Sequence, residues 1–412
     1  MKNKNRSFKQ GLLALMVLVG LTTASCNKEV EQIADNPVAQ PTGQTLNKVL
    51  EGNPNDALFL ELVKRAGLLS MISDSNKTYT LFVPENNGIK AVINALSQGQ
   101  VPLDAPDAVF VQFINTIITP EMATGIIQYH IVPQAIRAAS IPSGFPNFSY
   151  PSTLNPAPQL SSLARLNTYL STRNGAWFNN VPITGVDQSA YNGIIHHLAT
   201  VAMPPQRSLW DRISADNELT YLKAAILRAD SGAVANQSLQ YYLSNFGAEF
   251  TVFAPVDTSF RKTLTGLIAQ TLIAVDTPIN VAIQMATALA STPDVFNNPL
   301  LFSALTAQTV KGVVVYHVLG KKAFTNNFLT TEETIPTLLN GVVPTHGGLK
   351  IKATYTNGVP FPISVSVKDV YNMSPDANII MGRPLTPEPA GKSDQNYFNG
   401  ILHKIDQVLL PL

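Results

Sequence analysis

The chain has 412 residues, of which only 13% are charged, with 28 Lys and Arg against 27 Asp and Glu. These charges form no long runs, which excludes the basic face of a nucleic-acid binder. A single cysteine excludes a disulfide framework, so stability must come from hydrophobic cores, and the length allows two of them.

The chain opens with Lys2, Lys4, Arg6 and Lys9, then the apolar run Leu12 to Leu21, then Thr22-Thr23-Ala24-Ser25 directly before Cys26. A basic stretch, a short apolar stretch and small residues describe a secretory signal over residues 1–25. The apolar run is shorter than the roughly 20 residues a membrane-spanning helix needs. Small residues before the sole cysteine resemble a bacterial lipoprotein signal, although Thr23 stands where such signals usually carry Leu. The resemblance implies that Cys26 is lipidated and holds the protein to a membrane of the cell envelope, with the outer membrane as the expected site. The mature chain then carries 24 basic and 27 acidic residues, a net charge near −3. Residues 26–44 are polar, with Pro37 and Pro41 and no periodicity, and read as a tether. Lys28-Glu29-Val30-Glu31 resembles the acidic signals that send some lipoproteins to the cell surface.

From Leu46 to Met71 the apolar spacing predicts helices broken at Asn53-Pro54-Asn55. Asp74 to Thr78 is a turn, lacking the Gly and closing Glu of a calcium loop. Thr78 to Pro84 reads as a strand apolar on both faces, and Asn86 is placed to cap the following helix. Val109 to Ile118 and Met122 to Ile126 read as helical, leading into a strand over Gln128 to Val132. Arg137 to Ser162 holds five prolines, too many for a continuous helix or central strand. Phe145, Phe148 and Tyr150 give it apolar anchors. Leu163 to Leu170 and Ala176 to Val186 supply strands, and Asn192-Gly193 predicts a type I′ hairpin turn. Beyond it, Ile194-Ile195-His196-His197-Leu198 has strand character.

After Pro204-Pro205 the plan repeats. A helical segment from Leu209 precedes Thr251-Val252-Phe253-Ala254-Pro255, which matches Thr80 to Pro84; Asp257 stands where Asn86 stood. Tyr316-His317 matches Tyr129-His130, and Asn399-Gly400 with His403 matches Asn192-Gly193 with His196. The offsets grow from 171 to 187 to 207 residues, so the second copy carries insertions. The first is the Ala-rich Pro278 to Ser291 and Pro299 to Thr309, expected to be helical. The second comprises the strands of Gly341 to Tyr371 and a proline-rich loop, Arg383 to Ser393. Insertions on a duplicated scaffold are where a distinct function is expected.

These ordered landmarks resemble the fasciclin domain, seen twice. The resemblance implies an α+β fold of two tandem fasciclin-like domains, residues 45–206 and 207–412, each a β-sandwich core with flanking α-helices. It also associates the Tyr-His region with adhesion, which carries over to Tyr129, His130, Tyr316 and His317. From the residues alone, His130, His196, His317 and His403 are read as packed groups making internal hydrogen bonds. Zinc would need three or four closely spaced ligands, and no such spacing is present. The copies align His197 with Lys404, and because lysine is rarely buried, this second position is expected to face solvent in both. Thr345-His346-Gly347-Gly348 reads as a polar turn. No hydrolase, phosphate-loop, dinucleotide or metalloprotease spacing is found, so no catalytic residue, cofactor or metal is expected. The sequence thus points to a non-catalytic envelope lipoprotein that binds protein or polysaccharide. The alternatives are an accessory glycan-binding component for a neighbouring transporter or enzyme, and a hydrolase or lyase with a loop-built site in the second domain.

Overall fold

The computed structural model describes residues 43–159, 161–371, 375–382 and 390–411. The leader, Cys26, most of the tether and residues 383–389 of the proline-rich loop lie outside these. Helices α1 (Leu46–Glu51), α2 (Ala57–Arg65) and α3 (Leu69–Ser73) precede strand β1 (Tyr79–Pro84). Helices α4 (Asn86–Leu96), α5 (Asp107–Thr116) and α6 (Pro120–Tyr129) follow. Strands β2 (Ile131–Val132), β3 (Phe148–Pro151), β4 (Asn167–Ser171), β5 (Trp177–Phe178), β6 (Val181–Ala190) and β7 (Gly193–Leu198) complete the first half. Its seven strands run in the order β2-β1-β7-β6-β5-β4-β3.

The second half repeats the order with α7 (Leu209–Ala215), α8 (Thr220–Ala229), α9 (Leu239–Ser244) and β8 (Phe250–Pro255). Helices α10 (Asp257–Ala274), α11 (Ile279–Leu289) and α12 (Ala307–Tyr316) come next, then β9 (Val318–Leu319). The remaining strands are β10 (Glu333–Ile335), β11 (Leu349–Tyr355), β12 (Pro362–Asp369), β13 (Ala377–Asn378), β14 (Gln395–Tyr397) and β15 (Gly400–Ile405). The order β9-β8-β15-β14 reproduces β2-β1-β7-β6, and β10 to β13 form a separate four-stranded sheet. The fold is α+β, as expected.

Both halves are built around one parallel pair. Tyr79 pairs with Gly193 and Phe82 with His196; Phe250 pairs with Gly400 and Phe253 with His403. Central parallel strands are covered on both faces and read as continuous apolar runs, which is why Leu81 to Val83 and Val252 to Ala254 are apolar throughout.

Three local expectations are corrected. The hairpin turns are Tyr191-Asn192 and Phe398-Asn399, because Ala190 pairs with Gly193 and Tyr397 with Gly400. Neither Asn-Gly pair has positive φ, so no type I′ turn forms on it. The glycines are required for close approach instead: a Cβ on Gly193 would lie 2.0 Å from the Tyr79 carbonyl oxygen, and one on Gly400 2.7 Å from that of Phe250. Second, Tyr129 and Tyr316 end helices, and His130 and His317 are the C-caps. The helical apolar spacing runs on to the tyrosine, and the strands that follow are only two residues long. Third, Asn86 and Asp257 do not cap their own helices. Asn86 Oδ1 accepts from Leu58 N in α2, and Asp257 Oδ1 accepts from Tyr221 N in α8. Each satisfies an orphan amide at the start of a neighbouring helix and so locks that helix to the first core strand.

Candidate functional site

The matched motif residues come together in each half, and they are buried. His130 donates from Nδ1 to the Ile126 carbonyl at 2.7 Å, and its Nε2 accepts from Ala202 N at 3.1 Å. His317 does the same with Val313 O at 2.8 Å and Leu409 N at 2.9 Å. His196 uses the opposite tautomer: Nδ1 accepts from Asp187 N, and Nε2 donates to Ile136 O at 2.8 Å. His403 repeats this with Asp394 N and Ala323 O. Each of the four rings therefore spends both nitrogens on backbone, leaving no lone pair for a metal.

Burial holds these rings neutral. It pulls His130 and His317 down to about 4, the histidine hydrogen bonds to carbonyls opposing it only in part, and it lowers His196 and His403 as well. The other landmarks are equally committed. Asn192 Oδ1 accepts from Leu46 N while its Nδ2 donates to Ile72 O and Asp74 O. Asn399 accepts from Leu209 N and donates to Leu243 O. Thr80 and Thr251 each clasp the chain just after the short strand, through Gln134 O and Ile136 N in one half and Lys321 O and Ala323 N in the other. Tyr129 Oη accepts from Asn179 Nδ2 at 3.1 Å and from Asn396 Nδ2 at 3.4 Å; burial pushes its pKa up to about 12. Tyr316 Oη donates to Gly348 O, and burial raises its pKa too.

The second position of the closing strand does not face solvent. Lys404 is 1% exposed, with Nζ 2.6 Å from both Asp216 and Glu218. Arg212 Nη2 adds a contact to Asp216 at 2.9 Å, and these Asp216 contacts are close charge pairings more than aligned hydrogen bonds. His197 is half-buried, with Nε2 3.2 Å from the fully buried Asp56, a partner that raises the histidine pKa. The expectation failed because a central parallel strand has no open face, so acids come from the turns beside the covering helices: Asp56 just before α2, and Asp216 and Glu218 between α7 and α8.

The two halves meet through a polar seam. Asn147 and Asn327, both buried, exchange side-chain hydrogen bonds at 3.1 and 2.9 Å. Asn174 Nδ2 reaches Asn326 O and Phe328 O, Arg173 pairs with Glu333, and Tyr169 Oη donates to Glu249 at 2.5 Å. The Phe145 ring lies between Arg173 and Lys321. Residues 43–412 accordingly cluster as one compact unit. Among further aromatics, Tyr397 in β14 and Tyr150 in β3 are buried and Phe361 packs edge-on to Trp177, whereas Phe148 in β3 and Tyr241 and Tyr242 in α9 are exposed. His346 sits in its polar turn between the rings of Tyr316 and Tyr371.

The feature that sequence reasoning placed but did not interpret is the α10–α11 hairpin of the first insertion. Helix α11 packs along α10 and buries only Ala282, Ala286 and, just past its end, Ala290 among its small residues. Outward stand Val275 at 69% exposure and Ile279 at 64%, with Leu267, Val281, Ile283 and Met285 also exposed. Between Lys262 and Asp294 the only charge is Asp276. That stretch with a single charge was the signal available in the sequence.

Residues 56–204 match the family model described as the Fasciclin domain. A protein of Synechocystis sp., named Protein sll1483, is 26% identical over 171 residues, covering 40% of this chain and 77% of that relative. Among solved structures, a FAS1 domain pair from the insect cell adhesion molecule fasciclin I is 15% identical. It covers 87% of this chain and 98% of its own, at a TM-score of 0.30.

Proposed function

We propose that this chain is a non-catalytic binding module of a bacterial cell envelope, made of two fasciclin-like domains (45–206 and 207–412) and tethered through a lipidated Cys26. In this reading the α10–α11 hairpin engages a protein partner that offers an apolar groove. Fasciclin domains are generally adhesion and binding modules. The observation that carries the reading is the hairpin itself. Exposed apolar patches of this kind mark interaction sites, because most soluble surfaces keep clustered aliphatic side chains out of water. A lipid surface fits less well, since helices lying in a membrane interface carry Lys and Arg on their polar face, and α11 has neither. An enzymatic reading is not favoured, because Asp216 and Glu218 in the second half converge on Lys404 instead of on open space.

One experiment on three chains tests this: wild type, Cys26→Ala, and Ile279→Lys/Ile283→Lys. Wild type is expected to fractionate with membranes and capture an envelope protein on cross-linking. Cys26→Ala is expected to move to the soluble fraction. The hairpin variant is expected to stay on the membrane, keep its melting midpoint and lose the cross-linked partner. A hairpin variant that captures the same partner as wild type would show that the hairpin is not the docking surface.

A further inference from the structure

A second site is suggested by a different place in the molecule, the junction of the two halves. There, a cleft of about 370 Å³ is bounded by the β5–β6 turn, the linker between the halves and the approach to β14. Its volume falls in the range of small-ligand sites, and domain junctions are favoured positions for them. The polar lining is dominated by neutral amides: Asn179, Asn180, Gln206, Gln395 and Asn396. Charge is limited to Arg207 and to Asp394, whose carboxylate is already engaged by Thr325 N at 2.7 Å and Thr325 Oγ1 at 2.6 Å. One wall is apolar, formed by Met203, Pro204 and Pro205.

Part of this lining is rigid and part is open. Tyr129 Oη accepts from the amides of both Asn179 and Asn396, one from each half, and so fixes the floor. Asn179 Oδ1 further accepts from Tyr169 N, and Asn396 Oδ1 faces Lys322 Nζ at 3.4 Å. The Asn180 amide, half-buried at the rim, and that of the exposed Gln206 are not engaged by side-chain hydrogen bonds among the described residues. A primary amide both donates and accepts, which matches a hydroxyl group and does not discriminate for charge. A phosphate would meet one arginine opposite a carboxylate, and a wholly apolar ligand would strand the amides.

We propose that this cleft binds a neutral carbohydrate, a short stretch of glycan whose hydroxyls pair with the amides and whose C–H face rests on the Met203–Pro205 wall. The proposal is independent of the docking role of the hairpin. Tyr397, the one aromatic residue of the lining, is buried and offers no open stacking face, so the binding is weak, and its specificity resides in the fixed Asn179–Tyr129–Asn396 floor. Tyr129 is then a positioning residue for the cleft, which gives the repeated Tyr-His motif a role beyond packing in the first half only.

The test is isothermal titration of the full chain with neutral hexaoses (cellohexaose, maltohexaose, xylohexaose, mannohexaose) and, as a charged control, a heparin hexasaccharide. At least one neutral hexaose is expected to bind wild type, and Asn180→Ala/Gln206→Ala is expected to weaken it at least tenfold with an unchanged melting midpoint. Tyr129→Phe is expected to weaken binding less, and Ile279→Lys/Ile283→Lys not at all. Three results would overturn the proposal: no neutral hexaose binding at millimolar concentration, equal binding by the double alanine variant, or preference for the heparin fragment. None of these bears on the hairpin, whose partner is scored by cross-linking.

Discussion

Replacing Lys404 by alanine is expected to cost about 3–5 kcal/mol of unfolding free energy, the usual penalty for removing one partner of a buried ion pair. The side chain is buried in β15, the strand flanked by β14 and β8, and its ammonium is the group on which Asp216 and Glu218 converge. Without it, Asp216, itself nearly buried, keeps only the Arg212 contact and the hydrogen bond its Oδ1 accepts from Glu218 N. Glu218 is held down to about 2, chiefly by Lys392 and then by Lys404, but it is half exposed and retains Lys392, so most of the loss falls on Asp216. Chemical denaturation of the full chain beside the variant measures the cost. A loss under about 0.5 kcal/mol, as for a surface lysine, would mean that the side chain reaches water.

Acid is expected to destabilise the fold well before its carboxylates titrate. An unfolded histidine takes up its proton near pH 6.5, whereas His130 and His317 do so only near pH 4 because the folded site cannot solvate the charge. Between those values the unfolded chain binds more protons, so stability falls as the pH falls. At pH 4.5 each ring accounts for about 2–3 kcal/mol relative to neutral pH, and His196 and His403 add in the same direction. His197 acts oppositely: its pKa is raised by Asp56, so its contribution is complete below about pH 6.5 and is lost as the pH rises through its folded value. Glu218 adds a further loss below about pH 4.5. Urea denaturation at pH 7 and pH 4.5 is the measurement. Equal stability at the two values would mean that the histidine sites open to solvent without unfolding.

The α+β class and the burial of His196 and His403 were legible, because the ordered landmarks and the packed reading of the motif histidines are carried by the chain itself. What was not legible depended on what covers each face. Lys404 read as a surface residue because the acids that meet it, Asp216 and Glu218, lie 188 and 186 residues earlier. Asn86 read as a local cap because nothing nearby reveals that Leu58 N is in reach. Asn192-Gly193 read as a turn because the same pair serves as a hairpin signal, while here the asparagine ties α1 to the turn and the glycine admits the Tyr79 carbonyl. The helicity of α11 followed from its alanines, but its exposure did not, since an all-round apolar helix reads equally as a buried one. The cleft between the halves joins the β5–β6 turn and the linker to the distant approach to β14, and left no local trace.

The central claim is that the matched histidines are spent on the scaffold in both halves, leaving recognition to surfaces outside the motifs. Titration of the six histidine rings by NMR between pH 8 and pH 4 tests it most directly. The account predicts that His130 and His317 stay neutral down to about pH 4, that His196 and His403 titrate below the ordinary histidine value, and that His197 titrates above it. Titration of His130 or His317 near the ordinary value of 6.5, in the folded protein, would contradict it and return those rings to the pool of candidate binding groups.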